Sequence, residues 1–385
     1  MYKIPLSAPN LNGNELKYIE ECVDTEWVSS AGKYVDIFEE NIAKYTGAKF
    51  AIACVNGTAA LHVSLRLAGV EQGNEVIVPT LAFISPVNVV CYNNAKPIFM
   101  DADKYYNIDS EKTIEFIKNE TVFKNGFTYN RKTNNKIAAI ITVHVWGNAC
   151  LLDELIDLCN NRNIAMVEDA AESLGTFYKM GKYNGKHTGT IGKLGCLSFN
   201  GNKIITTGGG GMILTNNFNL ASKAKYLTKQ AKDDNVKYVH NEIGYNYRLT
   251  NIQAALGVAQ LEQIPIFLNQ KKEIHKYYHE SINNILGLSL SITPDYADNN
   301  HWLNLLQIDK KIYCNDRETL MERLKSNGIQ TRPVRKLNHE QKPYKNCQHY
   351  KIERAKKLVE NSLCLPSSSN LTNENQNKVV TQLNG

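Results

Sequence analysis

Several large classes of protein are excluded by what the sequence lacks. The opening Met1-Tyr2-Lys3-Ile4-Pro5-Leu6-Ser7 has no apolar stretch of the kind, about 7–15 residues long, that marks a secretory signal. The longest apolar run, Ile137 to Val145, is interrupted by Thr142 and His144 and is too short to cross a bilayer. The nine cysteines are an odd number, spread from Cys22 to Cys364 with no C-x-x-C, so neither a zinc ribbon nor a disulfide framework is indicated. There is no block of like charges: 44 Lys+Arg stand against 38 Asp+Glu, a net charge of +6. Neither nucleic acid nor a membrane is therefore the expected partner. Internal repeats and Gly/Ser linkers are also missing, and a reducing, cytoplasmic setting fits best.

What is present is enough apolar residue, 43% of 385, to build a large core. From residue 48 to about 215, short β-branched runs alternate with helical patterns, which calls for an α/β domain with a mostly parallel sheet. Seven strands are expected: Phe50–Val55, Glu75–Pro79, Pro97–Met100, Ile137–Val143, Ile164–Glu168, Gly195–Phe199 and Gly211–Leu214. Their continuous apolar character means burial on both faces. The polar segment 118–136 reads as an exposed insertion, and 228–247 as an irregular region or lid. Beyond Leu249 the pattern becomes a helical run, Asn251 to Leu268, interrupted by Pro265, then strands near 288–292, 302–308 and 330–334. This divides the chain into a large domain, 1–247, and a smaller C-terminal α+β domain, 248–385, packed together.

Open α/β sheets collect ligands at the carboxyl ends of their strands, and four chemically loaded segments fall there. Asn56-Gly57-Thr58-Ala59 joins a strand to a helix whose first amides could hold a phosphate. Glu168-Asp169-Ala170-Ala171-Glu172 carries carboxylates out of an apolar strand, which is costly unless something positive meets them. Lys203 follows another strand and precedes a tetraglycine, Gly208 to Gly211, and desolvation there would make its amine nucleophilic. No Gly-Lys-Ser/Thr follows, so the tetraglycine is not a P-loop. Tyr245-Asn246-Tyr247-Arg248 is the fourth segment. Pyridoxal phosphate needs a lysine, a carboxylate for its ring nitrogen, a backbone nest for its phosphate and an aromatic face. Lys203, Asp169, Gly57-Thr58 and Phe83 supply these in turn.

At these residues the chain resembles the DegT-type nucleotide-sugar aminotransferases, a pyridoxal-phosphate family of fold type I. The resemblance runs essentially from Pro5 to the C-terminal region. It is carried by Gly57-Thr58-Ala59-Ala60-Leu61, Val167-Glu168-Asp169-Ala170-Ala171, Gly192 to Phe199, Asn202-Lys203 with Gly208-Gly209-Gly210, and Gly244 to Leu249. It implies that Lys203 joins the cofactor and then moves the proton, and that Asp169 keeps the pyridine nitrogen protonated. It also implies that Ser198 helps Gly57 and Thr58 hold the phosphate. Asn246 would reach the phosphate of a neighbouring subunit, making the active unit a homodimer with shared sites. Glu172, a cofactor contact, stands where Gln or His is commoner. Lys193 and Trp146-Gly147-Asn148 also depart from the commoner pattern.

Together with Asn200-Gly201-Asn202-Lys203 and Thr331-Arg332-Pro333, Glu172 makes the chain look closest to the 4-aminotransferases of bacillosamine and legionaminic acid pathways. The expected substrates are then L-glutamate and a UDP-linked 2-acetamido-2,6-dideoxy-4-ketohexose. A GDP- or dTDP-linked keto sugar, aminated at C3 or C4, is the alternative, and a non-catalytic sensor is a further one. A dehydratase of the same fold would carry histidine in place of Lys203. For the substrate, Arg332, His339 and Trp27 are candidates, because a diphosphate asks for arginine forks and a sugar for aromatic faces. His275 and His279 are one helical turn apart but lack a third ligand nearby, so no metal site is expected.

Overall fold

The computed structural model describes residues 2–234 and 236–384. All seven expected strands form and lie in one sheet, in the spatial order Phe50–Cys54, Gly211–Thr215, Leu194–Ser198, Ala165–Asp169, Ile137–Val143, Glu75–Pro79, Lys96–Met100. An eighth strand, His349–Tyr350, extends the expected seven by pairing in parallel with Lys96–Met100. Gly211–Thr215 runs antiparallel to both neighbours, and the remaining pairings are parallel. Helices cover both faces. Val76 and Val78 join one apolar cluster while Ile77 joins the other, so a single strand feeds two cores and has no solvent side to leave polar.

The segment read as an exposed insertion is instead a hairpin, Thr121–Lys124 with Phe127–Asn130. Asn125 and Gly126 both take positive φ, 52° and 77°, as a two-residue turn matched to strand twist requires. Part of it is buried: Asn130 Nδ2 donates to Glu75 Oε2 at 2.7 Å and to Gln348 Oε1 at 2.8 Å. The stretch between Thr228 and Tyr247 holds no helix or strand among its described residues.

Pro265 does not interrupt a helix but opens one. Asn251–Glu262, opened by a capping box of Thr250 and Gln253, ends first, and Ile264–Ile282 follows with proline in its first turn, where a missing amide costs nothing. Ala254, Ala255 and Val258 of the first of these helices pack in the large cluster with Phe38 and Ile42. Ile274, Tyr278 and Ile282 of the second pack in a separate cluster with the C-terminal sheet. That sheet has four strands, in the order Leu288–Leu290, Asn304–Ile308, Ser362–Leu365, Arg332–Pro333. Ile4 pairs with Ile329 beside it, while Trp302, Val334 and Leu337 join the large cluster. No helix among the described residues is long and apolar enough to cross a membrane.

Candidate active site

One cavity at the carboxyl ends of the central strands is lined by Gly57, Thr58, Phe83, Asp169, Glu172, Ser198 and Lys203. Local sequence explains how these residues meet. Asn56 Oδ1 accepts the Ala59 amide at 2.7 Å and starts the helix Gly57–Leu67, whose first residues, Gly57 and Thr58, line the cavity. The tetraglycine is needed for close approach: a Cβ on Gly211 would stand 2.4 Å from the Asn56 carbonyl carbon. A Cβ on Gly57 would likewise press on Ser198 at 2.9 Å, so the helix start and the strand end at Ser198 share one concave surface.

The three carboxylates emerging from Ala165–Asp169 differ in their surroundings. Glu168 Oε1 accepts the amides of Ile191 (2.7 Å) and Gly192 (2.6 Å), and Oε2 accepts the Gly189 amide and His144 Nε2, each at 2.9 Å. The Cys150 amide donates to His144 Nδ1, so Nε2 is the nitrogen that carries the proton given to Glu168. Burial alone would raise the Glu168 pKa, but His144 and the amides more than offset it and hold the group ionised. Glu172 is also buried, and burial again opposes its charge. Arg335 Nη2 at 2.5 Å, Lys203 Nζ at 3.7 Å and the Trp146 amide at 2.8 Å bring its pKa below the usual value.

Asp169, between them in sequence, has one bond, from the Ala171 amide at 3.0 Å. Desolvation pushes its pKa up to about 6, with Glu172 adding to the rise. Lys203 is pulled below its usual range by burial first and by Arg335 as well, against the attraction of Glu172 and Asp169. Its Nζ also lies 4.0 Å from the ring centre of Trp302.

The other expected residues stand elsewhere. Arg332 is exposed on its edge strand, and the arginine in the cavity is Arg335, its guanidinium 5.4 Å from the ring centres of both Phe83 and Trp146. His339 does not line the cavity and is bonded to Thr80 Oγ1 at 2.6 Å. Trp27 is 58% exposed, and its carbonyl accepts from Asn251 at 2.7 Å. Asn246 is exposed outside the cavity, its Oδ1 accepting from Arg248, while the flanking Tyr245 and Tyr247 stack on each other. His275 gives its ring to Asn304 Oδ1 and stacks on His301, and no group of three ligating side chains is placed for a metal among the described residues. Sequence reasoning missed Arg335 and Trp302. The cation demanded by the Glu168–Glu172 carboxylates was the one signal for Arg335.

The donor set fits pyridoxal phosphate. A buried carboxylate without a cation faces the cavity, a lysine with depressed basicity lies across from it, and a helix start with a serine hydroxyl could receive a phosphate.

Comparison with known proteins agrees. A GDP-perosamine synthase of Escherichia coli O157:H7 is 37% identical over 374 residues, 97% of this chain and 96% of that protein. Another GDP-perosamine synthase, from Caulobacter vibrioides, is 35% identical over 386 residues, 99% and 97% of the two chains. The E. coli GDP-4-keto-6-deoxy-D-mannose-3-dehydratase, solved with bound hydrated pyridoxal phosphate, shares the fold at 22% identity, with a TM-score of 0.86 and 100% of both chains covered. The model of the DegT/DnrJ/EryC1/StrS aminotransferase family matches residues 9–384, and the chain belongs to that family of pyridoxal-phosphate-dependent sugar aminotransferases.

Proposed function

We propose that this chain moves an amino group from L-glutamate to the C4 ketone of a GDP-linked 6-deoxyhexose, giving a GDP-4-amino-4,6-dideoxy sugar. The observation that carries the reaction is Lys203 facing the uncompensated Asp169 across one cavity. The choice of nucleotide is supported by relatives that match nearly the whole chain at 35–37% identity and are named for GDP-perosamine. The UDP-linked reading rested on short segments, and these relatives favour the GDP alternative over it.

Pyridoxal phosphate, when bound, supplies an aldehyde that condenses with amines and a ring that draws electron density from the adjoining carbon. Asp169 would hold the proton on the ring nitrogen, and the amides of Gly57 and Thr58 with the Ser198 hydroxyl would bind the phosphate. Phe83 would cover the ring. Lys203 would anchor the cofactor and, as a free amine, would hold or move a proton at the substrate carbon that carries nitrogen. Glu172 keeps the Lys203 amine at hand and fixes Arg335. Because Arg335 Nη1 is buried without a partner, it is the group offered to the donor carboxylate. Asn246 does not line its own cavity and would serve the site of a second copy in a homodimer with shared sites.

The test is the visible absorption of the purified protein with and without L-glutamate, followed by mass spectrometry after adding GDP-4-keto-6-deoxymannose or UDP-2-acetamido-2,6-dideoxy-4-ketohexose. Glutamate should change the cofactor band, and the GDP sugar should gain an amino group in place of its ketone. Amination of the UDP sugar alone would restore the first reading, and an unchanged band in cofactor-loaded protein would remove the aminotransferase assignment. Lys203→Ala should abolish turnover while the protein stays folded.

A further inference from the structure

Lys203 must let go of the cofactor and remain within reach of it, yet a freed lysine has four rotatable side-chain bonds. The side chain that limits it comes from a distant part of the chain. Trp302 is buried, and its indole Nε1–H donates to the carbonyl of Asn202, the residue before the lysine, at 2.6 Å. The same ring presents its face to Lys203 Nζ at 4.0 Å.

Trp302 is itself held from several directions. Its amide donates to Asn300 Oδ1 at 3.0 Å, and its carbonyl accepts from the buried Lys271 Nζ at 3.0 Å. Asn300 Nδ2 donates in turn to the carbonyls of Glu172 and Leu174, at 3.0 and 2.9 Å. Between them His301 takes a φ of +47°, a left-handed conformation that a non-glycine residue keeps only where its surroundings enforce it. One buried turn, Asn300–Trp302, thus grips the backbone of both Lys203's neighbour and Glu172.

We propose that Trp302 is a positioning residue for Lys203: its N–H pins the Asn202–Lys203 turn, and its ring face holds the lysine amine beside Glu172. An aromatic face attracts an ammonium and gains nothing from a neutral amine, so the ring favours the protonated lysine. The charged groups that face Lys203 are Glu172, Asp169 and Arg335. The inference rests on the reading of Lys203 as the cofactor's lysine.

The experiment compares wild type with Trp302→Leu, which loses face and donor, and Trp302→Phe, which keeps a face and loses the donor. In the full-length protein freed of cofactor, acetic anhydride labelling of Lys203, followed by mass spectrometry across pH, reads the protonation midpoint of the amine. In cofactor-loaded protein, the rate at which L-glutamate changes the absorption band reads the first half-reaction. For Trp302→Leu the midpoint should fall by about one pH unit, and the half-reaction should slow about tenfold at unchanged half-saturating glutamate. For Trp302→Phe the midpoint should stay, with a smaller loss of rate. A folded Trp302→Leu protein with an unchanged or higher midpoint, or with the wild-type rate, overturns the proposal. Should that variant not fold, Trp302→Phe decides: a retained midpoint with a slower rate supports the proposal, and a shifted midpoint or the wild-type rate overturns it. A wild-type band that ignored glutamate would instead overturn the aminotransferase reading, which keeps the two failures distinct.

Discussion

Glu168 and Asp169 are neighbours on one strand, equally hidden from solvent, and the fold treats them in opposite ways. Successive residues of a strand point to opposite faces, so one carboxylate enters the turn at Gly189–Gly192 and the other enters the cavity. Glu168 receives four donors and is held ionised, whereas Asp169 receives one and has its pKa pushed up to about 6. A carboxylate that serves structure is completed by its own chain. One that serves a ligand is left incomplete, and the folded protein carries the cost until the ligand arrives.

The comparison breaks most severely at Asp169→Asn, which keeps the acceptor for the Ala171 amide and loses the charge. With cofactor bound, turnover should fall on the order of a thousandfold, about 4 kcal/mol of barrier, measured as kcat in steady state. Glu168→Gln should spare the chemistry and damage the fold. Each Glu168 oxygen faces two donors, so an NH2 at either place meets N–H groups head on, and a loss of about 3 kcal/mol or more in urea unfolding is expected.

A quieter effect comes from pH. The folded pKa of Asp169 lies above the ordinary aspartate value, so the folded state binds the proton more tightly. Its contribution to stability is therefore full below about pH 4 and is lost as pH rises to about 6, on the order of 3 kcal/mol in cofactor-free protein. Glu168 has the opposite sign: its folded pKa is depressed, so its contribution is present at neutral pH and is lost as acid protonates it. Urea unfolding of the cofactor-free protein between about pH 2 and pH 8, repeated in Asp169→Asn, separates the two slopes.

Much of this is legible in the sequence. The seven main strands show as continuous apolar runs because both faces of the sheet are covered, and the eighth does not, since His349–Tyr350 is two residues of polar and aromatic character held by pairing alone. The hairpin at 121–130 was hidden by its polarity, although Asn125-Gly126 is a strong turn signal. The cavity residues Gly57, Phe83, Asp169, Ser198 and Lys203 were readable because strand ends bring them together. Arg335 and Trp302 were not, because they enter from the C-terminal part of the chain, and their proximity to Lys203 and Glu172 is set by tertiary packing that no local pattern records. Arg332, three residues away in the same segment, had the right chemistry and the wrong direction.

The most direct measurement is the melting temperature of wild type and Asp169→Asn at pH 8, each with and without saturating pyridoxal phosphate. Without cofactor the variant should melt higher, because a buried, unpaired charge has been removed. With cofactor the order should reverse, because only the aspartate meets the ring nitrogen's charge. A variant that melts lower than wild type in both conditions would contradict the claim that Asp169 is a carboxylate left incomplete for its ligand.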